Sequence, residues 1–391
     1  MKILPDTSFF LSLLTFGVEE YFVISPSFTR LAADVEIQFC PPDKLKPKPA
    51  VKDLVFGKTF TEHMLEIQWV DGEGWHKPQI SPFHNLSMHP AAKSLHYSVQ
   101  FEGMKAYRGV DGKIRLFRPD ENMKRMNRTA ERASLPTFDG EELIELIKKL
   151  IRIDQEWVPH SESSSLYVRP TLISNEDALK VEQPSKALLF VILSPTGPYF
   201  STGFNAVSLL ADPQYVRSWP GGCGHTKMGA NYGPTLMIQK EAMKKGLQQV
   251  LWLYGPDHRL TEVGAMNIMI VLKKKNGGIE LVTPPLDGLI LPGVTRLSIL
   301  EIVRSWPEYE VTERDITMAE VVEASKEDRL LEIFGAGTAV VVCPVGEIHY
   351  MDKVIKVPTM QQEKPLYKKV YNAILDIQYG RNQHPWAVPI D

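Results

Sequence analysis

The chain has little cysteine. Cys40, Cys223 and Cys343 are the only three in 391 residues, and no two are spaced as C-x-x-C. Three thiols cannot build a disulfide framework, and the pattern fits a reducing compartment. An excess of one charge is also lacking: 44 Lys and Arg against 47 Asp and Glu leave a formal net charge of −3. That excludes a nucleic-acid or anionic-membrane binder whose affinity rests on a large basic surplus. No apolar run approaches the roughly 18–20 residues that span a bilayer. Neither G-x-G-x-x-G with a downstream acid nor G-x-x-x-x-G-K followed by Ser or Thr occurs, so dinucleotide and P-loop readings lack support. What remains is a chain 43% hydrophobic and 23% charged, long enough for two domains at about 150 residues each.

Residues 8–16 (SFFLSLLTF) have the look of a short secretory core, yet no small-residue cleavage site follows. Lys2 is the only basic residue before Arg30, against Asp6, Glu19 and Glu20, which is unlike a transit peptide. A poor organellar presequence and a functionless extension both stay open. Residues 41–50 (PPDKLKPKPA) hold four prolines and read as an extended, solvated lead-in to a body that starts near Leu54.

In that body, 63–70 (HMLEIQWV) and 95–101 (LHYSVQF) read as strands, with Asp-Gly turns at 71–72 and 111–112. Residues 120–133 read as a helix with Pro119 in its first turn. Residues 139–157 form a clearer amphipathic helix: Leu143, Ile144, Leu146, Ile147, Leu150 and Ile151 make one stripe, and Asp139 with Glu142 resembles a capping box. Strands recur at 165–173 and 186–194. A Gly/Pro-rich passage, Ser194 to Phe204, is the candidate junction. Beyond it, QQVLWLYG, NIMIVLKKK and GIELVTPPL read as strands, while 234–245, 296–306, 317–332 and 364–377 read as helices, with Thr317 and Glu320 as a second capping box. The expected architecture is α/β and α+β in two unlike domains: a lead-in at 1–53, a small α/β domain at 54–195, a linker at 196–214 and a large domain at 215–391.

Four segments are over-punctuated by glycine. GGCGHTKMGANYG (221–233) places five glycines around Lys227, just before a helix. Backbone that adopts positive φ can approach a ligand closely, and a lysine held in such a turn is expected to have a lowered pKa and to be nucleophilic. RLTEVGAMN (259–267) offers Glu262 at a strand edge, an acid able to keep a heterocyclic nitrogen protonated. LPGVTRLS (291–298) puts Gly293 and Thr295 at a helix start, an anion site by geometry and dipole. GAGTA (335–339) supplies small residues for close backbone approach to an oxyanion. Each alone is a thin signal: Lys227 and Glu262 have bland readings as a solvated loop and a solvated turn residue, and many helices start as 291–298 does. Together with Arg125 in the basic run KRMNR, they supply an amine, an acid and donors for a phosphate, which is what pyridoxal phosphate requires.

The motifs VFGKTFTEHML, FEGMKAYRG, IRLFRP, SLYVRP, ALLFVILSP, KMGANYGP, QVLWLYGPDH, LTEVG, LPGVTR and FGAGTA, in order from about Val55 to Gly380, resemble the branched-chain amino acid aminotransferases of the animal type, fold-type IV pyridoxal-phosphate enzymes. The resemblance implies a cofactor at the interface of two domains, a large domain that carries its lysine, and exchange of the amino group between L-leucine, L-isoleucine or L-valine and 2-oxoglutarate. It implies Lys227 as the residue bound to the cofactor aldehyde, Glu262 against the ring nitrogen and Tyr232 at the ring hydroxyl. Arg125, Val294, Thr295 and Thr338 would hold the phosphate. The amides of Thr338 and Ala339, with the Tyr97 hydroxyl, would take the substrate α-carboxylate. Phe56, Phe101, Tyr167 and Tyr199 would form the apolar pocket, Leu179 and Val181 would reach in from a partner subunit of a homodimer, and Tyr167 with Arg169 would pair a γ-carboxylate. No metal, nucleic acid or membrane is implied. The segment SPSFTRLAADVEIQF resembles the start of a mature mitochondrial form, which points to the mitochondrion, with the cytosol as the alternative.

Three departures stand out. Val340 replaces the first cysteine of a family C-x-x-C, with Cys343 at the second, so dithiol control is not expected. Ala265 stands where a threonine is usual. Three residues, not four, separate Tyr97 from Phe101; because strand side chains alternate, the two rings should face differently unless a bulge compensates. Two alternatives stay open: another activity of this fold, such as a D-amino acid transaminase or an aminodeoxychorismate lyase, or a cofactor-binding protein without catalysis.

Overall fold

A computed structural model describes residues 31–197 and 205–391. The stretch 8–16 and Tyr199 lie outside these residues. Two mixed sheets organise the chain. The first has ten strands and runs 36–37, 79–82, 63–70, 186–196, 165–173, 104–108, 114–117, 387–389, with 74–75 and 99–101 attached at its side. Its long central strands alternate in a way that buries both faces, Leu166, Val168 and Leu172 on one and Tyr167, Thr171 and Ile173 on the other.

One face is covered by two helices. α1 (Pro119–Arg132) starts at a proline whose missing N–H costs nothing there. α2 (Gly140–Ile153) buries all six residues of its predicted stripe. Asp139 caps α2 by accepting from the amides of Glu141 and Glu142. The reciprocal half of the capping box is absent, because the Glu142 carboxylate accepts instead from the Ala32 amide. α2 also stops four residues before the expected 157: Asp154 turns away to accept from the His63 amide and to bond its Nδ1 at 2.7 Å.

The second sheet has nine strands, and six of them close a ring: 259–263, 249–254, 207–211, 341–350, 330–337 and 266–273, the last pairing back onto 259–263. The ring interior is filled by aliphatic side chains such as Leu209, Leu251, Ile268 and Val345. α4 (Val294–Arg304) and α6 (Leu366–Gln378) pack on the outer face, over a cluster that also takes in Tyr107 and Phe117 of the first sheet. That shared cluster fixes one half against the other and so fixes the site between them.

Three expectations are corrected. The predicted helix 317–332 is α5 (Met318–Lys326), which ends before Asp328 at φ +54°; Leu330 begins a strand that buries Ile333 and Phe334. The predicted linker 196–214 contains Val207–Ala211, a strand of the closed ring with partners on both sides. The expected large domain 215–391 does not keep its end, since Ala387–Pro389 pairs with 115–117 in the first sheet. α3 (Thr235–Lys244) lies on 249–254, close to its expected limits.

Candidate active site

Where the two sheets meet, a cavity of about 290 Å³ opens. Lys227 projects into it from the glycine-rich turn. The turn is held by backbone on two sides: the Phe101 amide donates to the Lys227 carbonyl at 3.2 Å, and the Lys227 amide donates to Thr129 Oγ1 on α1 at 3.1 Å. Asn231 closes the turn from within, its Nδ2 donating to the carbonyls of Cys223 and Thr226. The amine lies 3.4 Å from Tyr232 Oη and 5.1 Å from the centre of the Phe101 ring. Burial lowers its pKa to about 8; Arg125 and Arg169 push the same way, and Glu102 and Glu262 oppose them. The lowered pKa expected of a lysine in this glycine-rich turn thus has its physical cause. Burial likewise raises the Tyr232 hydroxyl to about 12, so it stays protonated and able to donate.

Two backbone cradles face the amine. α4 begins at Val294 with no side-chain cap, so the first-turn N–H groups of Val294, Thr295 and Arg296 are free of helical partners. Gly293 is required there: a Cβ would stand 2.1 Å from Asn267 Oδ1. The loop Thr338–Val340 forms the second cradle, and Thr338 and Ala339 line the cavity beside Thr295. Arg125 completes this wall. Its guanidinium is locked by Glu102, Nε to Oε1 at 2.7 Å and Nη2 to Oε2 at 2.8 Å, while Nη1 donates to the Pro292 carbonyl.

Tyr167, Arg169 and Phe101 line the opposite wall. Arg169 donates to Tyr167 Oη at 3.1 Å and lies over Phe101, yet its buried Nε has no partner. Ala265 faces the cavity from the two-residue turn between 259–263 and 266–273.

Glu262 does not line the cavity. It is buried one layer behind Leu291 and Asn267, where Oε1 accepts from the Leu291 amide at 2.7 Å and Oε2 pairs with Arg217 Nε at 3.1 Å. Burial raises its pKa, with Arg217 as the chief opposing charge. Phe56 lies half-exposed outside the cavity and reaches it only through an edge-to-face contact with Tyr167 at 4.9 Å. Leu179 and Val181 are exposed on the loop between 165–173 and 186–196, away from the cavity of their own chain.

Tyr97 is placed away from the cavity of its own chain: it is 38% exposed and its hydroxyl donates to the Lys180 carbonyl at 2.9 Å. The shortened segment lies directly beside it. The predicted strand 95–101 is a helical turn at 93–95 and a strand only at Val99–Phe101. Phe101 keeps its place on the cavity wall, so Gln100 is driven inward, fully buried with neither amide atom partnered. An unsatisfied amide of this kind costs roughly 1–3 kcal/mol. Gln100→Leu should therefore raise the unfolding free energy by about that amount, as measured by urea unfolding; an unchanged or lower midpoint would contradict the assignment.

The sequence reading missed Glu102, Asn122, Thr129, Arg217 and Asn267. One signal was available. Asn122, Arg125 and Thr129 recur at i, i+3 and i+7 on α1 and are all buried, a polar stripe at helical spacing. Glu102 and Arg217 carry no pattern; only the fold brings them to Arg125 and Glu262. The Cys343 thiol is buried, and burial pushes its pKa up to about 11, which disfavours the thiolate.

The amino-transferase class IV family matches residues 100–348. A cytosolic branched-chain-amino-acid aminotransferase of Mus musculus is 55% identical over 352 residues, covering 90% of this chain and 91% of the relative. A mitochondrial counterpart of Bos taurus is 53% identical over 361 residues, 92% of each chain. Among solved structures, a branched-chain amino acid aminotransferase of Escherichia coli superposes with a TM-score of 0.64 at 23% identity, covering 83% of this chain and 98% of that one. Another, from Thermobaculum terrenum in its PLP-bound holo-form, gives 0.65 at 19%, covering 85% and 99%. At such identities these two establish a shared fold.

Proposed function

The chain belongs to the class IV amino-transferases, and among them to the branched-chain-amino-acid aminotransferases; on that premise we propose that its Lys227 cavity transfers the amino group between L-leucine, L-isoleucine or L-valine and 2-oxoglutarate, with pyridoxal 5'-phosphate as cofactor. The observation that carries this reading is the Lys227 amine, poised near pKa 8 between two cradles of free backbone N–H groups.

The residues present fit that cofactor. An accessible amine suits the aldehyde, the α4 N-terminus with Thr295 and Arg125 suits a phosphate, and Tyr232 suits the ring hydroxyl. Glu262 would stand behind the ring, its ionised form favoured by Arg217 against the effect of burial. When bound, the cofactor supplies the electron sink for a carbanion at the substrate Cα. The protein supplies the rest. Lys227 Nζ carries a proton to and from that carbon, a role suited to an amine that titrates near neutrality. The Thr338 and Ala339 amides orient the α-carboxylate, and Phe101 and Tyr167 exclude water from the side-chain pocket.

The unpartnered Arg169 Nε supports a second specificity. A γ-carboxylate can pair with this guanidinium, while an aliphatic side chain rests on the faces of Phe101 and Tyr167. Arg169→Met should raise KM for glutamate by about tenfold or more, the worth of about 1.4 kcal/mol, and leave KM for leucine within about twofold by the same measure. Equal losses on both substrates would defeat the assignment. The overall reading is tested by spectral half-reactions of the purified protein, first with leucine and then with glutamate; no amino transfer from either would overturn it.

We also infer a homodimer. The support is the outward placement of Leu179 and Val181, two exposed aliphatics on one loop. The relatives divide between cytosol and mitochondrion; the segment SPSFTRLAADVEIQF favours the mitochondrion, which cell fractionation would test.

A further inference from the structure

Behind the two cradles sits a lysine that the reading above does not use. Lys105, on the strand Met104–Arg108 of the first sheet, is 9% exposed, and its ammonium donates to the Ala339 carbonyl at 2.8 Å. Among the described residues no carboxylate oxygen lies within 4.0 Å of it. An ammonium buried without a counter-ion is costly, and burial accordingly lowers its pKa to about 8. The two positive groups that line the phosphate and carboxylate walls, Arg125 and Lys227, are each accounted for by a partner or a task; Lys105 is not.

The one hydrogen bond of its ammonium among the described residues is to a strained loop. Thr338–Val340 joins the strands 330–337 and 341–350 of the second sheet. Val341, a β-branched residue, is held at φ +64°, and the Val342 amide donates to the Val340 carbonyl at 2.8 Å, closing a tight three-residue turn. Such backbone persists only where its surroundings over-determine it. The Thr338 and Ala339 amides have no partner among the described residues. Lys105, Thr295 and Thr338 also line a small cavity of about 20 Å³, and Thr295 and Thr338 face the main cavity as well. The ammonium therefore lies in the layer directly behind the donors, reached from the opposite sheet.

We propose that Lys105 is the positioning residue of the substrate-carboxylate cradle: it holds the Thr338–Val340 loop by the Ala339 carbonyl, so that the loop's free amides keep their direction, and it sets a positive charge behind them. The inference rests on the aminotransferase reading only in that the anion is the α-carboxylate of an amino acid or 2-oxo acid. The same cradle wall could serve the cofactor phosphate, and the experiment separates the two.

The holoenzyme is titrated with 4-methylvaleric acid, an unreactive carboxylate, by calorimetry. Lys105→Met should weaken its binding at least tenfold, while the Kd for pyridoxal phosphate stays within about threefold. KM for leucine and for the branched 2-oxo acid should rise together with little change in kcat. Lys105→Arg, which keeps the charge and a donor, should recover most of the affinity; if Lys105→Met does not fold, Lys105→Arg and Lys105→Gln are compared in the same way. Unchanged carboxylate binding would overturn the proposal. So would an equal loss of cofactor affinity, which would make Lys105 a phosphate residue, or an arginine variant as weak as methionine with a lowered Tm, which would make the role one of packing. Turnover of the unaltered enzyme with leucine is measured separately: its absence overturns the aminotransferase reading, while the binding comparison still decides the role of Lys105.

Discussion

Replacing Lys227 by alanine should leave a folded protein whose amino-transfer turnover has fallen by about 10⁴-fold or more, since both covalent attachment and the proton shuttle depend on one amine. The turn itself should survive, because what holds it is backbone and Asn231: the Lys227 amide on Thr129, its carbonyl on Phe101, and the Asn231 amide group on Cys223 and Thr226. Borohydride should then trap no adduct on the 221–233 peptide. The pH dependence is the sharper check. An amine attacks an aldehyde only when deprotonated, so the rate at which apoprotein takes up pyridoxal phosphate should rise with pH and level off above about 8. An ordinary lysine would level off only above about 10.4. The sign also extends to stability. A lysine whose pKa is lowered on folding binds fewer protons than in the unfolded chain, so the apoprotein should gain stability as pH rises from about 8. Trapping on the alanine variant, or a plateau near 10, would remove Lys227 from its assigned place.

Much of this site was legible in the sequence because its parts are local. A glycine-rich turn around one lysine, a glycine ahead of a helix start and a G-A-G-T-A hairpin each declare their geometry over a few residues, and the structure brings all three around one cavity. The α2 stripe was legible for the same reason, since helical periodicity is a local property. What escaped depends on distant partners. Arg217 and Glu262 are far apart along the chain, and nothing near either residue announces the pair. The helix expected at 317–332 failed because apolar residues of a buried strand mimic a helical stripe over one or two turns. The return of 387–389 to the first sheet left no trace in a segment read as part of the large domain. Tyr97 shows the opposite limit: counting residues to Phe101 warned that the facing would change, but only the fold shows that Gln100 takes the inward position and Tyr97 lies away from the cavity of its own chain.

The second large effect concerns the pair that holds the phosphate wall. Glu102 is fully buried and accepts four N–H bonds: two from Arg125, one from Asn122 Nδ2 at 2.8 Å and one from the Gly103 amide at 3.1 Å. Burial alone would raise its pKa, yet Arg125 foremost, with Lys227 and Asn122, outweighs burial and keeps the carboxyl below its ordinary value. It is therefore charged at neutral pH, and its contribution to stability is lost only as pH falls through the depressed value. Removing one partner leaves the other as an uncompensated buried charge. Glu102→Ala and Arg125→Met should each cost about 3–5 kcal/mol in urea unfolding of the apoprotein. The double variant should cost less than the sum, because it leaves no orphan. The two single variants should part company on the ligand. Glu102→Ala leaves the guanidinium free to meet a phosphate, so pyridoxal phosphate should restore part of its lost stability. Arg125→Met keeps a carboxylate beside the anion site and should lose cofactor affinity along with stability. Additive losses, or an Arg125→Met protein that binds pyridoxal phosphate as tightly as the parent, would show that this buried pair is scaffolding and that the phosphate is held by the α4 N-terminus without it.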